Sequence, residues 1–441
     1  MHNPLAFPLR AVASSLALSL AMAAGATHAA APAAPSASYK FAFGAVKAPA
    51  GYTAVAPDAA YDASRGYGFE IGTQANGSAP WYFSVDLPEG NYNVTVTLGD
   101  DKAPATTTVK AEMRRLMLEN VQTGAGQTVT RTFTVNVRTP RIPAANGAEA
   151  GQVKLKVPRE TVDEAWAWDS RLTLEFNGAR PAVRSIEIAP ANVPTLFLLG
   201  DSTVCDQPNE PYNSWGQMLP RFFKPGVAVA NHGESGETYR DALNRRRTDK
   251  ILSAMKPGDV LVMQFGHNDQ KQIKDNTGGP FTTYKAEIKT HVDAVRARGG
   301  QAVIVSPMER RRFDDAGQLV PTLVDYAEAA RQSARELNVP FIDLNAMSKT
   351  MYTVLGPEGS KAAFAEPTPG KLDNTHHNPY GSYELAKAIV TGLRQAQLPV
   401  ANFVVDDFRF DPARPDPVAS FAVPPSPKVT RQRPLGDEAN K

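Results

Sequence analysis

The run Thr195-Leu-Phe-Leu-Leu-Gly-Asp-Ser-Thr203 decides the fold. Leu196–Leu199 is a short, continuous apolar run stopped by Gly200. A strand covered on both faces has that composition, because neither face meets water. Such strands belong to parallel sheets, and ligands bind in the loops beyond their carboxyl ends. Ser202 therefore stands where a nucleophile is useful. Gly200-Asp201-Ser202-Thr203 also suits a plain turn and helix cap, so the rest of the chain has to decide.

Toward the C terminus, strand and helix signals alternate. Strands are expected at Val227–Ala230, Val260–Phe265, Ala302–Ser306 and Phe341–Leu344. Helices are expected at Ser214–Phe223, Tyr239–Met255, Tyr284–Ala297, Leu323–Leu337 and Tyr380–Leu393. This alternation predicts an α/β fold, a doubly wound parallel sheet with helices on both faces.

Toward the N terminus the chain is β-rich from Tyr39 to Pro190. Phe83, Val85 and Leu87, then Tyr92, Val94, Val96 and Leu98, alternate with polar residues around Pro88-Glu89-Gly90-Asn91. That pattern predicts a hairpin. Further strands are expected at Phe133–Val137, Val153–Val157, Leu172–Phe176 and Arg184–Ile188, which together predict a β-sandwich. Aromatic residues crowd its first third, among them Phe41, Phe43, Phe69, Trp81, Tyr82 and Phe83. Exposed, they would form platforms for sugar rings. Burial in the core is the expected fate of such large apolar side chains.

The two ends carry other signals. Arg10 precedes the apolar run Ala11–Gly25, followed by small residues at Thr27-His28-Ala29 and Ala29-Ala30-Ala31. This order predicts an export signal over residues 1–30 and a secreted or periplasmic protein, with no membrane span in the mature form. From Asp406 the chain is Pro-rich and is expected to run extended over the surface, with its last dozen residues without fixed structure.

Composition narrows the partners. The 441 residues hold 47 Lys and Arg against 45 Asp and Glu, a formal net charge of +2. No electrostatic reason exists to expect nucleic acid or an anionic membrane. Cys205 is the single cysteine. An intrachain disulfide is thereby excluded, and stability has to come from packing.

Four polar clusters sit beyond apolar strands or before a helix: Gly200-Asp201-Ser202, Asn231-x-Gly233-x-x-Gly236, Gly266-His267-Asn268-Asp269 and Asp373-Asn374-Thr375-His376. A parallel sheet puts the first three on one edge. Acyl transfer needs these residue types. Serine is a weak nucleophile that wants a base. Histidine takes and returns a proton near neutrality, and an aspartate on its far nitrogen fixes the tautomer. Asp373 and His376 are three apart, within reach across one turn. The N–H of Gly236 and the amide of Asn268 suit an oxyanion hole, with the Ser202 N–H as a third donor.

Other readings compete at several positions. Gly233 competes with Gly236 as donor. Cys205 competes as nucleophile, although a lone cysteine is more often a buried thiol. His376 and His377 raise the question of a metal, but catalytic zinc wants three protein ligands and no further cluster of that kind is visible. No metal and no cofactor is expected. Glu309-Arg310-Arg311-Arg312 suits either the carboxylates of an acidic polymer or a solvated charged run.

In their order and spacing, G-D-S-T, N-x-G-x-x-G, G-H-N-D and D-x-x-H resemble the four blocks of the SGNH (GDSL-type) hydrolases, over about residues 195–400. Gly266-His267-Asn268-Asp269 and the Asp-Asn-Thr-His-His-Asn-Pro-x-Gly segment resemble the rhamnogalacturonan acetylesterases in particular. The stretches around Lys40–Gly44, Gly51–Thr53 and Ser64–Glu70 resemble the amino-terminal β-sandwich attached to bacterial members of that group. The resemblance implies a galactose-binding-like sandwich over 38–190, a flavodoxin-like catalytic domain over 194–400 and a tail over 401–441. It implies Ser202 as nucleophile and oxyanion N–H, Gly236 and Asn268 as further donors, His376 as base and Asp373 as its orienting acid, with Asp201 holding the loop. One departure is visible: those esterases often have Gly-Arg-Ser after the glycine of the second block, whereas Glu237-Thr238 follows Gly236 here. The implied function is a secreted serine esterase that removes O-acetyl groups from acidic plant polysaccharide, most of all rhamnogalacturonan. A lipase or thioesterase of the same family, and a carbohydrate-binding protein with an inert hydrolase site, are the alternatives.

Overall fold

A computed structural model describes residues 38–427, apart from 45–47, 71–72, 74, 76–78 and 146–148. The expected export signal and the end of the tail lie outside the described residues.

The sheet that carries Ser202 has five parallel strands: β1 (Thr195–Gly200), β2 (Ala228–Asn231), β3 (Val260–Gln264), β4 (Gln301–Val305) and β5 (Phe341–Ile342). Their order is β2-β1-β3-β4-β5, each pair parallel. This is the flavodoxin-like order, with its topological switch point beside β1. Alternate residues serve two cores, which explains the continuous apolar runs. Leu196, Leu198, Val262 and Val303 join Leu385 and Ile389 on one face. Phe197, Leu199, Leu261 and Ile304 join Ile251, Ile288 and Val292 on the other. Apolar side chains on both faces are what a sheet sandwiched between helices demands.

The expected helices form at 324–337 and 379–395, and an expected one at 284–297 appears as Lys285–Arg296 after a turn at Pro280–Tyr284. Three expectations need correction. The single helix expected over Tyr239–Met255 is two, Tyr239–Asn244 and Arg247–Ala254, because Arg246 turns left-handed with φ 63°. The strand expected over Phe341–Leu344 stops at Ile342. Asp343 there caps a helix, Leu344–Gly359, through the N–H of Ala346. The helix from Ser214 is a short α-turn, Trp215–Met218, continued as a 3₁₀ turn at Leu219–Phe222 because Pro220 lacks a donor.

Residues 39–190 build two five-stranded sheets. One contains Tyr39–Phe43, Gly90–Leu98, Val129–Val137 and Val183–Pro190. The other contains Tyr67–Phe69, Trp81–Asp86, Ala105–Ala111, Arg115–Thr123 and Arg171–Arg180. A single apolar cluster draws on both, including Phe41, Phe43, Phe69, Trp81 and Phe83. These five aromatics are therefore core, while Tyr82, also buried, packs against Trp166 outside that cluster. The predicted hairpin is a correction: Trp81–Asp86 pairs with Arg171–Phe176, whereas Gly90–Leu98 pairs with Val129–Val137 in the other sheet. Both strands have one apolar face, and facing each other across the core buries those faces as well as hairpin pairing would. The strand expected at Val153–Val157 is also absent. Only Gly151–Gln152 pairs, and Lys154 N–H instead donates to the Arg245 carbonyl 2.9 Å away in the α/β region.

The two regions pack within one compact unit. Arg115 is fully buried between them, its Nε 2.8 Å from Asp206 Oδ2. Leu116 reaches into the cluster beneath β1 and β3. The Pro-rich tail returns to the all-β region: Lys110 Nζ donates to the Pro424 carbonyl at 2.7 Å, and Asn177 Nδ2 to that of Pro425 at 2.9 Å. No helix of the described residues is long and apolar enough to cross a membrane.

Candidate active site

The loop after β1 is a tight turn built by Asp201. Its carbonyl accepts from Val204 N–H and Cys205 N–H, both at 3.0 Å. Its carboxylate accepts from Thr203 N–H at 3.0 Å and Thr203 Oγ1 at 2.7 Å, and lies 3.3 Å from His267 Nδ1. Burial works to raise this carboxyl. The His267 and Thr203 contacts outweigh it, so the group is held below the ordinary carboxylate range. Asp201 thus shapes the loop that presents Ser202 and does not face the histidine of the fourth cluster. Ser202 is nearly buried, and its carbonyl is held by Gln207 Nε2 at 2.7 Å.

His376 closes on Ser202 from the far end of the chain. Its Nε2 lies 2.8 Å from Ser202 Oγ, and its Nδ1 lies 2.8 Å from Asp373 Oδ2. Asp373 Oδ1 accepts from Thr375 N–H at 2.7 Å and His376 N–H at 2.9 Å, the turn that brings a carboxylate back to an imidazole three residues on. Burial works against the Asp373 charge, but the His376 ring and these N–H donors prevail, and the carboxyl is lowered to about 2. The loop is pinned to residues 363–365: Ala365 N–H donates to the His376 carbonyl at 3.0 Å, and Asp373 N–H to that of Ala365 at 2.8 Å. Asn378 then caps the helix Pro379–Gln395. Position 381 must be glycine there, since a Cβ would lie 2.0 Å from the Ala363 carbonyl oxygen. The Asn-Pro-x-Gly pattern thus reports how closely this helix approaches the histidine loop.

The two candidate donors come from neighbouring loops. Gly236 is exposed, with φ 76°. Asn268 follows β3 and donates from Nδ2 to the Glu237 carbonyl at 3.2 Å, tying its amide to the Gly236 loop. Gly233 has another employment. Its N–H donates to Asn231 Oδ1 at 3.1 Å, and a Cβ there would press within 3.1 Å of Cys205 N and Gly200 O. Between the two glycines, the geometry favours Gly236.

Several alternatives find their places. Cys205 is buried 3.3 Å from Ser235 Oγ, and burial pushes its thiol well up, away from the thiolate that nucleophilic attack requires. His377 is buried against Phe364, with Nε2 2.6 Å from the Tyr352 hydroxyl; burial lowers it to about 3, so it is neutral. The two adjacent histidines therefore serve different partners. Arg310 donates to Gln270 Oε1 at 3.0 Å and to the His267 carbonyl at 3.2 Å. Arg311 donates to Asn374 Oδ1 at 2.9 Å, beside Asp373, and to the Pro357 carbonyl. These two side chains brace the site's loops, while Arg312 is exposed. Glu237, at the departure in the second block, is buried with its carboxylate 2.8 Å from Arg247 Nε, and Thr238 caps the next helix.

Sequence reasoning missed Gln207, Ser235 and Arg159. None belongs to a periodic pattern, and their shared contacts exist only in the folded chain. Among the described residues, Glu160, Glu164 and Glu234 also gather carboxylate oxygens within 4.8 Å of one another. Arg247 and Arg159 already pair with them, at 2.6 Å from Glu160 and 3.1 Å from Glu234.

Serine, imidazole and carboxylate in this geometry can pass one proton from hydroxyl to ring while the carboxylate holds the tautomer. A sequence model of the GDSL-like Lipase/Acylhydrolase family matches residues 198–385. The rhamnogalacturonan acetylesterase RhgT of Bacillus subtilis (strain 168) is 37% identical over 220 residues, 48% of this chain and 94% of RhgT. The uncharacterized esterase YxiM of the same organism is 28% identical over 389 residues, 81% of this chain and 91% of YxiM. The crystal structure of YxiM covers 82% of this chain and 99% of its own, at 25% identity and a TM-score of 0.46. Identity of 37% across nearly the whole of RhgT is inheritance rather than coincidence of motifs, and the chain belongs to the GDSL-like lipase/acylhydrolase family, the SGNH hydrolases.

Proposed function

We propose that this protein is an exported carbohydrate acetylesterase that removes O-acetyl groups from an acidic plant polysaccharide, rhamnogalacturonan above all. The observation that carries the reading is the continuous chain Ser202 Oγ, His376 Nε2, His376 Nδ1, Asp373 Oδ2, with 2.8 Å at both links. Ser202 attacks the acetyl carbonyl while His376 takes its proton. The Ser202 and Gly236 N–H groups and the Asn268 amide stabilise the oxyanion. His376 then gives the proton to the departing sugar oxygen as its bond to the acetyl carbon breaks and acetyl-Ser202 is left; water attacks that ester, its proton passing through His376 to the Ser202 oxygen as acetate leaves. Support for the acetyl group and the polymer comes from the relative named rhamnogalacturonan acetylesterase. Support for export comes from the order of charge, apolar run and small residues over positions 1–30. Residues 38–190 are, in this reading, a galactose-binding-like accessory domain ahead of the catalytic domain at 194–400.

Acetate release from acetylated pectin, alongside hydrolysis of p-nitrophenyl esters of rising chain length, tests the reading. Short-chain preference and loss of both activities in Ser202→Ala are expected. A preference for long acyl chains moves the substrate to lipids or thioesters, and wild-type turnover by Ser202→Ala removes the mechanism.

A further inference from the structure

Besides Arg114 and Arg115, which hold the loop after Ser202 at Gln207 and Asp206, the all-β region sends one segment to the loop that carries Gly236. Between Gly151–Gln152 and Arg171–Arg180 the chain leaves its sheets and makes a turn, Arg159–Asp163, against the α/β region. Arg159 Nη2 donates to Ser235 Oγ at 2.7 Å. Gln207 Nε2 lies 3.3 Å from the same Ser235 Oγ and donates to the Ser202 carbonyl at 2.7 Å. The neighbouring Lys156 ammonium donates to the Ser235 carbonyl, one residue before Gly236. The loop carrying the candidate oxyanion glycine is thus gripped from side chain and backbone by two cations that do not belong to the α/β region.

Arg159 is itself held. Its Nε lies 2.6 Å from Glu164 Oε1 and 3.1 Å from Glu234 Oε1. A guanidinium whose Nε is already oriented by two glutamates loses little further freedom when its Nη2 grips a hydroxyl. A small displacement of an oxyanion donor costs large factors in rate, because catalysis depends on donors placed in advance.

We propose that Arg159 is a positioning residue for hydrolysis: acting through Ser235 and Gln207, it sets the Gly236 loop against the Ser202 loop, so that the all-β region completes the active site. This rests on the proposed roles of Ser202 and Gly236. Loss of the grip leaves the Ser202–His376–Asp373 chain intact and loosens the donor side only.

The test uses the full chain with p-nitrophenyl acetate, and kcat is counted per site titrated by a serine-reactive fluorophosphonate. Titration of wild-type Ser202 comes first; if Ser202 is not labelled, the proposed mechanism fails and the positioning role is not the cause. Given labelling, Arg159→Met is expected to lower kcat per titrated site about ten-fold or more, with KM within two-fold and with Arg159→Lys recovering part of the loss. Ser235→Ala is expected to act in the same direction, and the double variant to be no worse than the poorer single, because both cut one link. A merely structural role removes titratable sites and leaves the rate per site unchanged. Wild-type kcat per site in Arg159→Met, or in Ser235→Ala should Arg159→Met not fold, overturns the proposal.

Discussion

His376 Nε2 stands 2.8 Å from Ser202 Oγ although 174 positions separate the two residues. The contact is made by two loops of different origin. One is the turn after the central strand, shaped by Asp201. The other hangs between residues 363–365 and a capped helix, shaped by Asp373. Neither loop depends on the other for its internal hydrogen bonds, so a change at one side chain should disable the chemistry without unfolding the site.

Ser202→Ala removes the proposed nucleophile and little else. Turnover of p-nitrophenyl acetate should fall by on the order of 10⁴-fold or more, with a small residue from the oxyanion donors. The thermal midpoint should stay within a degree or two of wild type, as the Ser202 bond to Gln207 is made by the backbone.

Asn268→Ala tests the donor side. Loss of one oxyanion donor should lower kcat about 10²-fold or more, close to 3 kcal/mol in the barrier, with a smaller change in KM. Equal kcat in the variant would show that the amide serves only its bond to the Glu237 carbonyl.

Asp373 gives a pH dependence of definite sign. Its carboxyl is lowered from 3.8 to about 2. Above 3.8 the group is ionised in both folded and unfolded chains, and its contribution to stability, about 2 kcal/mol, is complete. As pH falls below 3.8 the unfolded chain takes up the proton first, and the contribution is gone below about 2. Urea denaturation of wild type and Asp373→Asn should show a stability gap at pH 7 that narrows from pH 4 to pH 3. The same variant should lose kcat by about 10⁴-fold at pH 7, through the wrong tautomer.

Arg115→Ala takes the nearer cation from the buried carboxylate of Asp206, leaving it Arg138 Nη2 at 3.9 Å and the bond it accepts from Asn231 Nδ2 at 2.9 Å. Breaking a buried pair in this way should cost about 3–5 kcal/mol. Urea denaturation checks the loss. Because Arg115 comes from the all-β region and Asp206 from the loop after Ser202, activity should fall at lower urea than in wild type. Replacing the pair by apolar residues of similar size should restore part of the stability.

How much was legible in the sequence differs from element to element. Thr195–Gly200 announced itself because a strand between two helical layers must be apolar on both faces. Asp373 and His376 were legible because three-residue spacing keeps a carboxylate within reach of an imidazole. The Gly90–Leu98 strand was legible as a strand, but its partner was not. A period of two records which face is buried and not which strand lies alongside. The break at Arg246 left no mark, since arginine is a good helix former and its left-handed φ is imposed by surroundings.

The sequence by itself determined the candidate residues: four short blocks whose residue types and order suit acyl transfer, and an alternation of strands and helices that sets the first three on one edge. Those are local or periodic properties, written in neighbouring residues. Only the tertiary structure decided that the Gly233 N–H is taken by Asn231 while Gly236 is exposed, that Cys205 and His377 are buried in other duties, and that Arg159 reaches across to Ser235. Such choices depend on contacts between positions far apart in the chain, where burial and hydrogen-bond partners arise only when the core closes.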